Sequence, residues 1–86
     1  MVHTKTVNSA TGALAIMLAD FHITRRESEV ASMVAQGMTS KQIAAHMTIS
    51  PRTVQTYITA LNRKFLTANR TQLAVKYLEY LKRKQS

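Results

Sequence analysis

Thr39-Ser40-Lys41-Gln42-Ile43-Ala44-Ala45-His46-Met47-Thr48-Ile49-Ser50-Pro51-Arg52-Thr53-Val54-Gln55 is the stretch whose reading decides the fold. Thr39 and Gln42 stand three residues apart, the spacing of a capping box, so a helix starts beside them. Ile43, Ala44 and Met47 make the buried stripe of that short helix, and the small Ala44 permits close approach by a neighbour. Ser50 is an N-cap, and Pro51 falls at the first helical position, where its missing N–H costs nothing. Val54, Ile58, Leu61 and Phe65 then recur at i, i+4, i+7 and i+11, one apolar stripe on a longer helix. Two helices joined by so tight a turn predict a helix-turn-helix. The first lies across the second and leaves the second free to enter a DNA groove.

Further helices flank this pair on both sides. Upstream, Thr24 and Glu27 form another capping box, and Val30, Met33 and Val34 follow at helical spacing. Gly37 stands where a left-handed C-terminal cap belongs. Downstream, Asn69 and Gln72 mark the start of a last helix. It carries Leu73, Ala74, Tyr77, Leu78 and Leu81 and is expected to run to about Lys82. Lys82, Arg83 and Lys84 complement the negative end of its dipole. Residues 1–10 are polar and mixed, and are expected to form a flexible arm. Residues 11–22 are expected to form an extra N-terminal helix capped by Thr11. Residues 13–21 are apolar nearly all round, so that helix wants burial on this domain or on a second copy. No segment shows a strand period, and the fold class is all-α.

Eighty-six residues make one small domain, with 12 Lys+Arg against 4 Asp+Glu and a formal net charge of +8. Such a balance favours polyanionic partners, most often nucleic acid. Its distribution sharpens the point. From Ser50 onward, Arg52, Arg63, Lys64, Arg70, Lys76, Lys82, Arg83 and Lys84 face a single acid, Glu79. The chain has no cysteine, which excludes disulfides, thiolate catalysis and Cys-based zinc sites and suits a reducing cytoplasm. No apolar run is long enough to span a bilayer. His3, His22 and His46 lack metal-ligand spacing, and His46 is expected on a helix surface. No phosphate loop, nucleophile–base set or carboxylate pair is present. The expectation is a non-enzyme with no cofactor and no metal.

In a helix-turn-helix the N-terminal part of the second helix meets base edges. That makes Arg52, Gln55, Thr56 and Thr59 the candidate base readers. Arg pairs with guanine, Gln with adenine, and Thr offers a hydrogen bond or a methyl for thymine. Ser40 and Lys41, at the start of the preceding helix, are phosphate candidates. Ser50, Thr53, Arg63, Lys64 and Arg70 join them. For Thr53 a local cap is an equal alternative, and Lys64 also reads as a plain solvated charge. Arg70 has the alternative of pairing with Glu27 or Glu29, both read as structural acids.

These residues resemble the LuxR/FixJ/GerE family of bacterial helix-turn-helix domains. The resemblance rests on an ordered set: Ile23-Thr24-x-Arg26-Glu27-x-Glu29-Val30, Val34 to Ala44, Ile49 to Val54, Lys64-Phe65, and Arg70 to Val75. It departs from the family pattern at Gln55, where Lys is usual, and at Tyr57, where His is usual. Ser40, Gln42 and Leu66-Thr67 also differ. The resemblance implies a four-helix LuxR-type helix-turn-helix domain over residues 23–84, to which residues 11–22 add a helix. It implies a sequence-specific transcriptional regulator that binds double-stranded DNA in the bacterial cytoplasm, at the nucleoid. It also implies a homodimer through the last helix, reading an inverted repeat. Leu73, Tyr77, Leu78 and Leu81 are the interface candidates, with closure of the core or packing on residues 13–21 as the alternative. Most members carry a further N-terminal domain for which this chain has no room, so a stand-alone small regulator is expected, with a fragment as the alternative. RNA polymerase or a second regulator would be further partners. Three other functions compete: a small protein-interaction module that modulates a larger regulator, a nucleoid-type binder without sequence preference, and a sigma-factor-like domain.

Overall fold

A computed structural model of the chain describes residues 22–85. Among the described residues there are four helices and no strand: α1 (Arg25–Ala35), α2 (Ser40–Met47), α3 (Pro51–Phe65) and α4 (Arg70–Gln85). The arm expected over residues 1–10 and the extra helix expected over residues 11–22 lie outside the described residues, except for His22, which belongs to no helix.

Each helix starts where its sequence signal stands. The Thr24 side chain accepts from the Glu27 backbone N–H at 3.1 Å, and Glu27 reaches back to the Thr24 N–H at 2.9 Å. Thr39 and Gln42 repeat the exchange at 3.1 and 2.8 Å. Ser50 accepts from the Thr53 N–H at 3.0 Å, with Pro51 in the first turn. Asn69 accepts from the Gln72 N–H at 2.9 Å, and the Gln72 side chain accepts from the Ala68 N–H at 2.7 Å. At each start, donors that the helix leaves without an internal partner are satisfied by side chains. The last helix extends to Gln85, past the expected stop near Lys82.

The helix ends are less uniform. Gly37 closes the α1 corner at φ +84°, as its position predicts. Thr48 and Leu66 take left-handed φ values of 60° and 58° at the ends of α2 and α3. Neither is glycine, and a β-branched residue such as Thr48 is rare in that region. The turn between α2 and α3 therefore holds local strain that the flanking helices must enforce.

The core is one cluster drawn from all four helices. Val30, Ala31 and Val34 come from α1, Ile43, Ala44 and Met47 from α2, Val54, Ile58 and Leu61 from α3, and Leu73 and Tyr77 from α4. α1 packs on α3 and α4, α2 packs on α3 and more lightly on α1, and α3 packs on α4. Val30, Ile43, Val54, Leu61 and Leu73 are fully buried. Each contributes roughly 1.5–3 kcal/mol over exposure, against well under about 1 kcal/mol for an exposed ion pair such as Lys76–Glu79. Packing therefore holds the fold, and the surface charges are left for other work.

Two of the four interface candidates belong to this core. Leu73 is 0% and Tyr77 3% exposed, and the Tyr77 hydroxyl hydrogen-bonds Ser28 Oγ at 2.9 Å. Phe65, Tyr77 and Tyr80 pack as an aromatic group with centroids 5.6–6.1 Å apart. An i, i+4 pair lies on one helix face, and here the core takes the face of Leu73 and Tyr77. Leu81 is half-buried against the same cluster, whereas Leu78 is 52% exposed.

Candidate nucleic-acid interface

α3 is two-faced along its whole length. Val54, Ile58 and Leu61 fill the core, while Arg52, Gln55, Thr56, Thr59 and Arg63 are all exposed. At 3.6 residues per turn those five occupy an arc of about 100°. The arc faces away from the buried stripe, and α3 contains no acid at all. Burial of one stripe thus aims the other outward without help from any side chain on it.

Local hydrogen bonds qualify what each side chain offers. The Thr56 hydroxyl donates to the Arg52 carbonyl at 3.1 Å. What remains outward is its methyl group and oxygen lone pairs, which suit a thymine methyl or an amino group on a base edge. Ser50 and Thr53 are exposed, with their hydroxyls 2.9 Å apart, and both serve the α3 cap. A phosphate contact by either would have to share that cap. Among the described residues the side chains of Arg52, Gln55, Thr59 and Arg63 have no hydrogen-bond or ion-pair partner, so their outward reach is uncontested there.

On α2, Lys41 is exposed in the first turn and Ser40 is half-buried beside it. His46 is exposed near the other end of the helix. The remaining two phosphate candidates are turned inward. Lys64 places its ammonium 2.7 Å from Glu27 Oε1 and donates at 2.7 Å to the His22 carbonyl. Arg70 donates to the Met38 carbonyl at 2.9 Å and to Ser40 Oγ at 2.5 Å. Arg70 does not pair with either acid proposed for it: Glu27 takes Lys64, and Glu29 takes Arg25 and Arg26. Lys64, whose side chain is 32% exposed, is therefore more than a plain solvated charge, because a nearly buried carboxylate holds it.

Glu27 is the one buried charged side chain among the described residues, at 7% exposure. Burial pushes its carboxyl up, but the Lys64 hydrogen bond, the Thr24 backbone N–H and the Lys64 charge together outweigh that and hold it below its ordinary value. The pairs Lys64–Glu27, Arg70–Met38, Arg70–Ser40 and Tyr77–Ser28 join residues 30 to 49 positions apart. No local sequence signal announces such pairs. Among the described residues no three His, Cys, Asp or Glu side chains gather as metal ligands, and no helix is long and apolar enough to cross a membrane.

Comparison with known proteins agrees with this geometry. YhcZ of Bacillus subtilis, described as an uncharacterized transcriptional regulatory protein, is 40% identical over 60 residues, covering 70% of this chain and 28% of YhcZ. The transcriptional regulatory protein LiaR of the same organism is 40% identical over 53 residues, 62% of this chain and 25% of LiaR. The transcriptional regulatory protein UhpA of Escherichia coli is 42% identical over 52 residues, 60% of this chain and 26% of UhpA. The chain thus spans about a quarter of the length of these curated relatives. No solved structure matches it. The sequence model of the bacterial regulatory proteins of the luxR family matches residues 22–77, from the residue that Lys64 holds to the tyrosine that closes the core. The chain belongs to the luxR family of bacterial regulatory proteins, with the four-helix, all-α fold of its helix-turn-helix domain.

Proposed function

We propose that this chain is a sequence-specific DNA-binding transcriptional regulator that inserts α3 into the major groove. The observation that carries the reading is the exposed, acid-free arc of Arg52, Gln55, Thr56, Thr59 and Arg63 on the helix that follows the tight turn. Arg52, Gln55, Thr56 and Thr59 read bases. Ser40, Lys41 and Arg63 lie against phosphates, and Ser50 and Thr53 do so through hydroxyls they share with the α3 cap. The net charge of +8 supplies the long-range attraction and predicts steep salt dependence. The uncharged Gln55 and the threonines favour base reading over charge-only binding, which would gain more from lysine there.

The exposed Val75 and Leu78 on α4 support homodimerisation through that helix, with an inverted repeat as the matching DNA symmetry. On this reading the protein works at the nucleoid in the bacterial cytoplasm, with RNA polymerase as a further partner. Selection of bound duplexes from a random library near physiological salt tests it, and an enriched inverted repeat is the expected result. Binding at low salt with no enrichment would overturn sequence-specific reading.

The same exposed apolar positions favour a second reading, a small interaction module that pairs with a larger regulator and modulates it. Simultaneous Arg52→Ala, Gln55→Ala and Thr56→Ala separates the two. Loss of regulation in the cell supports DNA reading, and retained regulation supports the module.

A further inference from the structure

We propose that Arg70 is a positioning residue for DNA binding: it fixes the N-terminal turn of α2 from behind and contacts no phosphate itself. The inference rests on the DNA-binding reading above. Its physical basis is the Arg70 guanidinium, which bridges two points on a segment about thirty residues earlier in the chain. One donor meets the Met38 carbonyl at 2.9 Å and another meets Ser40 Oγ at 2.5 Å.

The segment it holds is tied back to α1, where the N–H groups of Gln36, Gly37 and Met38 donate to the Ser32, Met33 and Val34 carbonyls and Met38 packs against the core, and the Arg70 fork adds the link to α4. Gln36, Gly37 and Met38 turn the chain between α1 and α2, Gly37 at φ +84°, with no side chain to pack there. The Met38 carbonyl lies outside any helix, so its bond to Arg70 anchors the corner directly. Arginine suits the task because its donors form a rigid planar fork that spans two acceptors at once. A lysine ammonium is a point charge on a flexible stem and would not hold the same two acceptors in fixed relation.

The bond to Ser40 has a second effect. A serine hydroxyl has one proton and two lone pairs. When Oγ accepts from a guanidinium, its own proton must point elsewhere, and the cation behind it strengthens it as a donor. Ser40 is half-buried and adjoins the exposed Lys41. The arrangement presents a polarised hydroxyl and a free ammonium side by side, and Arg70 sets their direction. Arg70 belongs to the first turn of α4, which is seated on the core by Leu73 one turn later. The fork thereby ties the orientation of the short α2 to a helix anchored in the core.

The test is a salt titration of DNA binding by the full chain, using the duplex enriched by selection, for the wild type, Arg70→Gln, Arg70→Lys, Ser40→Ala and the Arg70→Gln/Ser40→Ala double variant. Thermal melts confirm that each variant is folded at the assay temperature, and Ser40→Ala keeps the test open should Arg70→Gln not fold. The expected result for Arg70→Gln is an affinity loss of roughly tenfold, as for a lost charged hydrogen bond, with the slope of log affinity against log salt unchanged. Arg70→Lys is expected to lose most of that affinity although it keeps the charge. The double variant is expected to lose less than the two single losses combined, because the pair acts as one unit. A slope shallower by about 0.9 in Arg70→Gln, with Arg70→Lys near wild type, would establish a direct phosphate contact and overturn the positioning role. If Ser40→Ala binds as wild type does, the route through Ser40 is overturned. Failure of the wild type to bind any duplex would instead defeat the DNA-binding reading on which this inference stands.

Discussion

Lys64 Nζ lies 2.7 Å from Glu27 Oε1, and the same carboxylate oxygen takes the Thr24 N–H at 2.9 Å. One oxygen thus joins the cap of α1 to the last turn of α3, the helix that carries the candidate reading face. The Glu27 side chain is 9% and the Lys64 side chain 32% exposed, so the pair is screened far less than the surface pairs of α1. Lys64→Met is expected to lower stability by about 1–3 kcal/mol, because it leaves a nearly buried carboxylate without its cation. In a domain of this size that corresponds to roughly 5–15 °C in Tm, measurable by circular dichroism. A Lys64→Met variant that melts as wild type does would mean that the ion pair carries no net stability.

The same pair sets a pH dependence. The folded Glu27 carboxyl titrates below its ordinary value, so near that value the unfolded chain binds more protons than the folded one. Stability from Glu27 is therefore fully present above the ordinary glutamate pKa of about 4.3 and is lost as pH falls through the lower folded value. Denaturant midpoints measured from pH 6 down to pH 3 are expected to fall in the wild type. They are expected to fall less steeply in Glu27→Gln, which keeps an oxygen for the Thr24 N–H but cannot titrate. Parallel curves for the two proteins would contradict the assignment.

How much of this was legible in the residues follows from the range of each interaction. The four helix starts are local signals: Thr24 with Glu27, Thr39 with Gln42, Ser50 with Pro51, and Asn69 with Gln72 each act within a few positions, and all four starts stand where the sequence puts them. The inward stripe of α3 is equally local, since helical period alone separates Val54, Ile58 and Leu61 from the outward residues. The inward turn of Lys64 and Arg70 was not legible, because their partners sit about thirty or more positions away and an unpaired basic residue looks the same in sequence either way. In sequence Leu73, Tyr77, Leu78 and Leu81 read as interface candidates, with closure of the core as the alternative, because α4 holds more apolar residues than one stripe needs. Only the packed structure shows which of them the core takes first. The left-handed Thr48 and Leu66 had no signal at all, since glycine is the residue that announces that conformation.

Gln55 and Lys41 are expected to fail differently when shortened. Both are exposed, but one stands on the α3 arc and the other at the start of α2. Gln55→Ala is expected to relax preference at one base position, with about 1–3 kcal/mol of discrimination lost there and little change elsewhere. Lys41→Ala is expected to weaken all duplexes nearly evenly and to make the salt slope shallower by about one. Competition binding against single-base variants of the selected duplex distinguishes the patterns. A uniform loss for Gln55→Ala would remove it from the set of base readers.

Leu73 and Leu78 lie on the same helix five residues apart, yet the structure assigns them opposite roles. Leu73 is fully buried and Leu78 is 52% exposed. Leu73→Ala is expected to cost about 2–5 kcal/mol, enough to unfold much of a domain this small. Leu78→Asp is expected to leave the melting curve nearly unchanged, within about 0.5 kcal/mol, because the aspartate remains in water. If α4 forms the proposed homodimer, Leu78→Asp places like charges against each other and against an apolar face. Sedimentation velocity should then show a shift toward monomer, and binding to an inverted repeat should weaken far more than binding to a single half-site. An unchanged oligomeric state in a folded Leu78→Asp variant, together with unchanged binding to the full repeat, would remove Leu78 from any dimer surface.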